Sequence, residues 1–200
     1  MGIEEEIRRW QDGECMETMR QGGFKAGDRV VDFGCGIGNY TFPLSRVVQE
    51  KGEVYAMDVD GYVLERIRER AKRAHIRNIR LMKPERDGGL GLEDGCVDVV
   101  LIYDLIHSLA RRDEVLAECR RILKNGGILS ILPFHMSGRQ IHRLMDGMEG
   151  LGFKLDNIQR AGGLHFEMHR YLGSSSEHLK DYERGDIYNL KKSEDRDTDR

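Results

Sequence analysis

Three glycines on alternate positions, directly behind an apolar strand-like run, constrain this chain most. Residues 29–33 (RVVDF) read as a short buried strand, Gly34, Gly36 and Gly38 follow at once, and a helix is expected over 40–50. A strand that passes into a helix within so few residues must bend its backbone sharply, and glycine reaches the left-handed conformations that such bends use. Glycines there also let a ligand approach the main chain beside helix N–H groups. The chain has 24 glycines but only 3 prolines in 200 residues, and the glycines follow no strict period. Collagen-like and low-complexity classes are therefore excluded. Taken alone, the loop also fits a plain tight turn, the weaker of the two readings.

The remaining sequence alternates in the same manner. GEVYAMD (52–58) and IRNIRLM (76–82) read as strands on either side of a helix over 61–74, with Val63, Leu64, Ile67 and Ala71 at helical spacing. VDVVLIYDLI (97–106) is the most apolar run, as a central parallel strand should be. DEVLAECRRIL (113–123) is an amphipathic helix ended by Asn125, Gly126 and Gly127, before a strand ILSILPF (128–134) and a helix over 138–150. Such alternation predicts an open α/β sheet with helices on both faces. FKLDNIQ (153–159) and HFEMHRYL (165–172) close the ordered part across a glycine-containing link of five or six residues. A parallel crossover needs about a dozen residues, so these two strands should pair antiparallel.

Residues 1–24 read as an N-terminal helical cap, with Trp10 and Met16 or Met19 on its apolar side, although Gly13 argues against one continuous helix. Residues 25–173 form the main domain, and 174–200 form a polar tail. A net charge of −3 gives no general attraction to nucleic acid or anionic membranes. The arginine-rich helix 65–73 alternates with acids and reads as a solvated face. Four dispersed cysteines lack metal-ligand spacing, so no disulfide framework or metal is expected, and a reducing, cytoplasmic home is. No apolar run is long enough to span a membrane.

Two carboxylates give the glycine loop a chemical meaning. Asp32 sits within an apolar strand end, where an unpaired carboxylate is costly, so it should face a polar ligand or backbone N–H groups. Asp58 closes the second strand, twenty residues beyond Gly38, and falls at the same end of the sheet. That position suits a grip on two vicinal ribose hydroxyls. A helix N-cap is the rival role for Asp58, but Asp60 is better placed for it. The spacing is G-x-G-x-G, not the G-x-G-x-x-G of a nicotinamide dinucleotide loop.

With these features together, the chain resembles the class I S-adenosylmethionine-dependent methyltransferases, in the small-molecule group with the methyltransferase type 11 pattern. VVDFGCGIGNYT (30–41), VYAMDVD (54–60), EDGCVDVVLIYDLIHSL (93–109) and LAECRRILKNGGILSIL (116–132) match four family motifs in order, and the resemblance covers about residues 25–172. It implies a Rossmann-like seven-stranded sheet of order 3-2-1-4-5-7-6, last strand antiparallel, with S-adenosyl-L-methionine as cofactor. It also implies that Asp32 and the loop Gly34, Cys35, Gly36 and Gly38 receive the amino-acid end of the cofactor, Asp58 the ribose and Val59 the adenine, with Tyr103 against the methionine portion. The family's Gly-Asp-Ala adenine contact is replaced here, Arg86 standing at the Asp position between Glu85 and Asp87.

Asp104, His107 and His135 follow the fourth and fifth strands and are the candidates for acceptor chemistry. His165 and His169 share one strand face, which a metal could use, but solvent-facing edge residues are the simpler explanation. The Asp-Pro-Pro-Tyr of exocyclic base-amine methyltransferases is absent, as is any added nucleic-acid-binding module, so a small-molecule methyl acceptor is expected. The alternative is a catalytically silent methyltransferase-fold partner or activator subunit. An exposed hairpin edge or the N-terminal helix would serve a homodimer.

Overall fold

The protein is described by a computed structural model over residues 3–85, 89–160 and 186–194. Two short helices, α1 (Ile3–Asp12) and α2 (Glu14–Gln21), open the chain and break at Gly13. Then come β1 (Arg29–Phe33), α3 (Thr41–Val48), β2 (Glu53–Met57), α4 (Gly61–Arg73), β3 (Ile79–Met82) and β4 (Val97–Tyr103). The chain continues with α5 (Arg112–Ile122), β5 (Leu123–Leu132), α6 (Gly138–Gly150), β6 (Phe153–Arg160) and β7 (Asp186–Lys192). The seven strands form one sheet in the order β3-β2-β1-β4-β5-β7-β6. β1 to β5 pair in parallel, and β7 runs antiparallel to both β5 and β6.

Side-chain alternation sends each central strand to two cores. On one face Val31, Phe33, Val100, Ile102 and Ile131 pack with Leu116 and Ile122 of α5 and Leu144 and Met148 of α6. On the other, Val30, Val54, Val99 and Leu101 meet Trp10, Cys15 and Met19 of α1 and α2 and Leu44 and Val47 of α3. Phe42, Ala56, Leu64, Ile67 and Ala71 extend this face under α4. α6 begins with a capping box, Ser137 and Gln140 satisfying each other's backbone N–H groups. All strands from β1 to β5 point their C-terminal ends to one edge, where ligands bind in open α/β sheets.

The last pairing differs from expectation in its partner, though not in its direction. The strand beside β6 is β7 at 186–192, inside the segment expected to be a polar tail, and residues 161–185 separate the two. The HFEMHRYL segment with His165 and His169, and Arg86 and Asp87, lie outside the described residues. β7 escapes a hydrophobic pattern because its buried positions include Asn189 and Lys192. Asn189 is satisfied inside the sheet: its Oδ1 accepts from Ser130 Oγ at 2.7 Å, and its Nδ2 donates to Asn157 Oδ1 at 2.8 Å. Lys192 Nζ donates to the Leu123 carbonyl at 3.0 Å. Buried polar groups held this way carry no apolar periodicity.

Candidate active site

The glycine loop is fastened to the end of β2. The N–H groups of Gly34 and Cys35 both donate to the Met57 carbonyl, at 2.8 and 3.0 Å, and Gly36 N–H donates to Asp58 Oδ2 at 2.9 Å. Gly34, Gly36 and Gly38 have φ of +80°, +49° and +87°, values that non-glycine residues adopt only with strain. A Cβ on Gly36 would meet nothing within 4 Å, so this glycine faces open space. Gly34 and Gly38 are constrained from behind, by Leu105 and Phe42. Cys35 is buried, and burial pushes its thiol pKa up, leaving it an unreactive small side chain.

Leu105 matters because it joins two loops. A Cβ at Gly34 would lie 2.4 Å from Leu105 Cδ2, so the segment after β4 presses directly on the glycine loop. Gly34→Ala is therefore expected to destabilise the fold by about 2–4 kcal/mol, from overpacking plus a positive φ. Leu105→Ala in the same chain removes the clash but not the φ strain and should restore part of that loss. Chemical denaturation of both single variants and the double variant checks this, and additive losses would overturn it.

Asp58 lies half-buried at the C-terminal end of the β2 segment, with Oδ1 accepting from Asp60 N–H at 2.9 Å. Asp60 is the N-cap of α4, its side chain accepting from Tyr62 N–H at 2.8 Å. The cap role thus falls to Asp60, and Asp58 turns to the loop. Each Asp58 oxygen uses one lone pair on the backbone and keeps another for a ligand. Val59, Tyr62 and Ile37, in the segments that adjoin it, have 79%, 67% and 52% of their surface exposed.

Asp32 is 3% exposed, and its Oδ2 accepts from Thr41 Oγ1 at 2.6 Å. Burial pushes its pKa up to about 6; the Thr41 bond opposes the rise and the Asp58 charge adds to it. Tyr103 is buried, its hydroxyl bonded to Ser130 Oγ at 2.9 Å and its ring edge-on to Tyr40 at 4.9 Å. Burial first, then the neighbouring Cys15, Tyr103, Asp104 and Asp32, holds the Tyr40 phenol far above its ordinary pKa.

Several supporting residues carry no motif of their own. Gln11 of α1, almost fully buried, donates to the Asn39 carbonyl at 3.0 Å and accepts from Arg70 Nη2 at 3.0 Å. Arg70 in turn lies over the Phe42 ring at 4.0 Å. The arginine-rich face expected to be solvated thus gives one arginine, Arg70, to the latch that seats α1 on the glycine loop. Only the long sequence separation of these contacts hid them; Thr41, Tyr40 and Leu105 stand beside residues that were already candidates.

The acceptor candidates come together. Asp104 and His107 follow β4, and His135 follows β5. Their ligating atoms all lie within 4.8 Å of one another, and His135 Nε2 is 3.6 Å from Asp104 Oδ1. The two imidazoles meet edge-on, centroids 4.7 Å apart. Burial lowers the His107 pKa, the His135 charge adding to this and Asp104 opposing it, so its neutral form is favoured.

A seven-stranded sheet of this order, with a glycine loop tied to an acid after β2, defines the class I S-adenosylmethionine-dependent methyltransferase fold. Residues 31–131 match the methyltransferase domain model of the type 11 group, and the chain belongs to this family. Over 118 residues it is 32% identical to the ubiquinone/menaquinone biosynthesis C-methyltransferase UbiE of Azotobacter vinelandii, covering 58% of this chain and 46% of that one. It is 26% identical over 133 residues to a probable cobalt-precorrin-6B C(15)-methyltransferase (decarboxylating) of Sulfurisphaera tokodaii, covering 66% of each chain. The chain thus spans about half the length of the first of these relatives. A SAM-dependent methyltransferase structure from Aquifex aeolicus superposes with a TM-score of 0.70 at 20% identity, over 96% of this chain and 99% of that one. No helix among the described residues is long and apolar enough to cross a membrane.

Proposed function

We propose that this protein binds S-adenosyl-L-methionine and transfers its methyl group to a small-molecule acceptor. One observation carries the proposal: the open glycine loop held by Asp58 and the polar trio Asp104, His107 and His135 occupy the same end of the sheet, pressed together through Leu105. When bound, S-adenosylmethionine supplies a methyl group on a positively charged sulfur. The residues suit its parts. Asp32 is an anion in an apolar wall, suited to the ammonium of the amino-acid end. Asp58 has lone pairs to spare for the ribose hydroxyls, and Val59 and Ile37 offer apolar surface to the adenine. Tyr103, with its hydroxyl engaged by Ser130, presents its ring rather than its oxygen towards the methionine portion. Gly34, Cys35 and Gly38 set the loop's shape, and Arg86 is carried only by the resemblance.

On the acceptor side, Asp104, His107 and His135 orient the molecule to be methylated. Alignment of nucleophile and methyl carbon supplies much of the catalysis in such a displacement. Relatives named for C-methylation in ubiquinone/menaquinone biosynthesis and on a cobalt-precorrin support a small-molecule acceptor. Isothermal titration with S-adenosylmethionine and S-adenosylhomocysteine tests the cofactor. Both should bind, and absence of heat from either at about millimolar concentration, where even weak sites fill, would sink the reading. Binding of both without methyl transfer into any component of a metabolite extract would favour the silent-partner alternative instead.

A further inference from the structure

The trio Asp104, His107 and His135 has a chemistry that acceptor orientation alone does not use. We propose that these three side chains bind a divalent first-row transition cation of the zinc type, through one carboxylate oxygen and two imidazole nitrogens. Among the described residues they are the group whose donors converge this way, every ligating atom within 4.8 Å of the others. In a tetrahedral zinc site, donors about 2.0–2.1 Å from the ion stand about 3.3 Å from each other. The His135 Nε2 to Asp104 Oδ1 separation of 3.6 Å is already near that edge. Rotation of the two exposed imidazoles about their side-chain bonds closes the rest.

The backbone gives a second, independent argument. Asp104 and His135 have φ of +55° and +60°, and are two of only four non-glycine residues with positive φ among those described. Each such conformation costs on the order of 1 kcal/mol and persists where the surroundings impose it. The Leu132 carbonyl accepts from Asp104 N–H and from Phe134 N–H, each at 3.0 Å, locking the ends of β4 and β5 side by side. Two donors from different strands are thus aimed by strained, hydrogen-bonded turns, which is how preformed ligand sets are held.

The donor set also selects the ion. Two imidazoles and one carboxylate suit zinc, cobalt, nickel or iron, whereas magnesium and calcium prefer sites built from oxygen. Three protein ligands with an open fourth position match the arrangement of catalytic rather than structural zinc. The Asp104 and His135 side chains are 25% and 36% exposed, so the open position faces solvent. Ion binding stands by itself. Its service to catalysis rests on the methyltransferase reading: the open position would take an oxygen of the acceptor as its anion, the proton passing to the solvent that this position faces. That narrows the acceptor to a small molecule with an ionisable hydroxyl or enol oxygen.

The test is titration of ZnCl2, and separately MgCl2, into untagged full-length protein stripped with chelator. Zinc should bind at one ion per chain and magnesium should give no heat. His107→Ala and His135→Ala, both at exposed side chains, should each weaken zinc binding about a hundredfold or more. His142→Ala, which breaks the exposed His142 and Asp146 pair on α6, should change nothing. Cobalt added to the wild-type chain should give the intense visible absorption of a low-coordinate nitrogen-ligated ion, a readout that needs no variant. No zinc binding at about 100 μM, well above the affinity expected of a three-ligand site, would overturn the proposal. So would binding that survives both trio variants, or pale octahedral cobalt spectra. Titration of the same stripped protein with S-adenosylmethionine separates the two readings: cofactor binding without zinc binding defeats only the metal site, and the converse defeats only the cofactor assignment.

Discussion

Asp58→Ala is expected to weaken S-adenosylmethionine binding by about a hundredfold or more. The carboxylate is held by Gly36 N–H on one oxygen and Asp60 N–H on the other, both at 2.9 Å. That fixes its plane and leaves one lone pair per oxygen for a diol. Hydrogen bonds to a charged partner are worth about 1.5–3 kcal/mol each, so losing two ribose contacts removes about 3 kcal/mol or more, a factor near a hundred. The variant also releases Gly36, the glycine that faces open space, so the loop loses part of its preorganisation. Asp58→Asn keeps one acceptor oxygen and should lose about tenfold. Asp60→Ala is the control, since it removes a helix cap worth about 1 kcal/mol and touches no proposed ligand group. Titration calorimetry on the three variants, with thermal melts alongside, checks the set. Equal affinities for Asp58→Ala and the wild type would refute the ribose assignment.

What was legible in the sequence had a local cause. The glycine loop, the apolar β4 and the helices at 61–73 and 138–150 each declare themselves through spacing or capping within a dozen residues. The break at Gly13 is of the same kind. The sheet order came with the family resemblance and agrees with the observed topology. β7 was not legible, because its inward positions include Asn189 and Lys192, whose partners Ser130, Asn157 and Leu123 lie 30 or more residues away. The latch of Gln11, Asn39 and Arg70 was hidden for the same reason. The trio stands between these cases. Strand order places Asp104, His107 and His135 at one edge, but their convergence to within 4.8 Å depends on two positive-φ turns at non-glycine residues. Asp and His enter that conformation rarely enough that sequence alone does not announce it.

Asp32→Asn should move stability and cofactor affinity in opposite directions. The folded pKa of Asp32 is raised from an ordinary 3.8 to about 6, chiefly by burial. Between those values the folded chain holds a proton that the unfolded chain has released, so stability falls as pH rises through the window. Above pH 6 the whole deficit remains, and at 1.36 kcal/mol per pH unit it amounts to about 3 kcal/mol. Asparagine carries no charge to desolvate and keeps an oxygen to accept from Thr41 Oγ1. Its buried amide hydrogens cost about 1–2 kcal/mol at every pH, so a net stabilisation of about 1–2 kcal/mol is expected at pH 7.5, crossing zero near pH 5 and turning to a net loss by about pH 4. Binding follows the opposite logic. The cofactor's ammonium needs the ionised carboxylate, so wild-type affinity should fall about tenfold per pH unit below pH 6. The variant should be weaker by about tenfold or more at pH 7.5 and flat across that range. Urea denaturation and calorimetry at pH 4.5, 6 and 7.5 read both effects. A variant that is less stable than the wild type at pH 7.5 would show that Asp32 is held by favourable partners in the free protein, and that its burial is structural rather than a charge kept waiting for the cofactor.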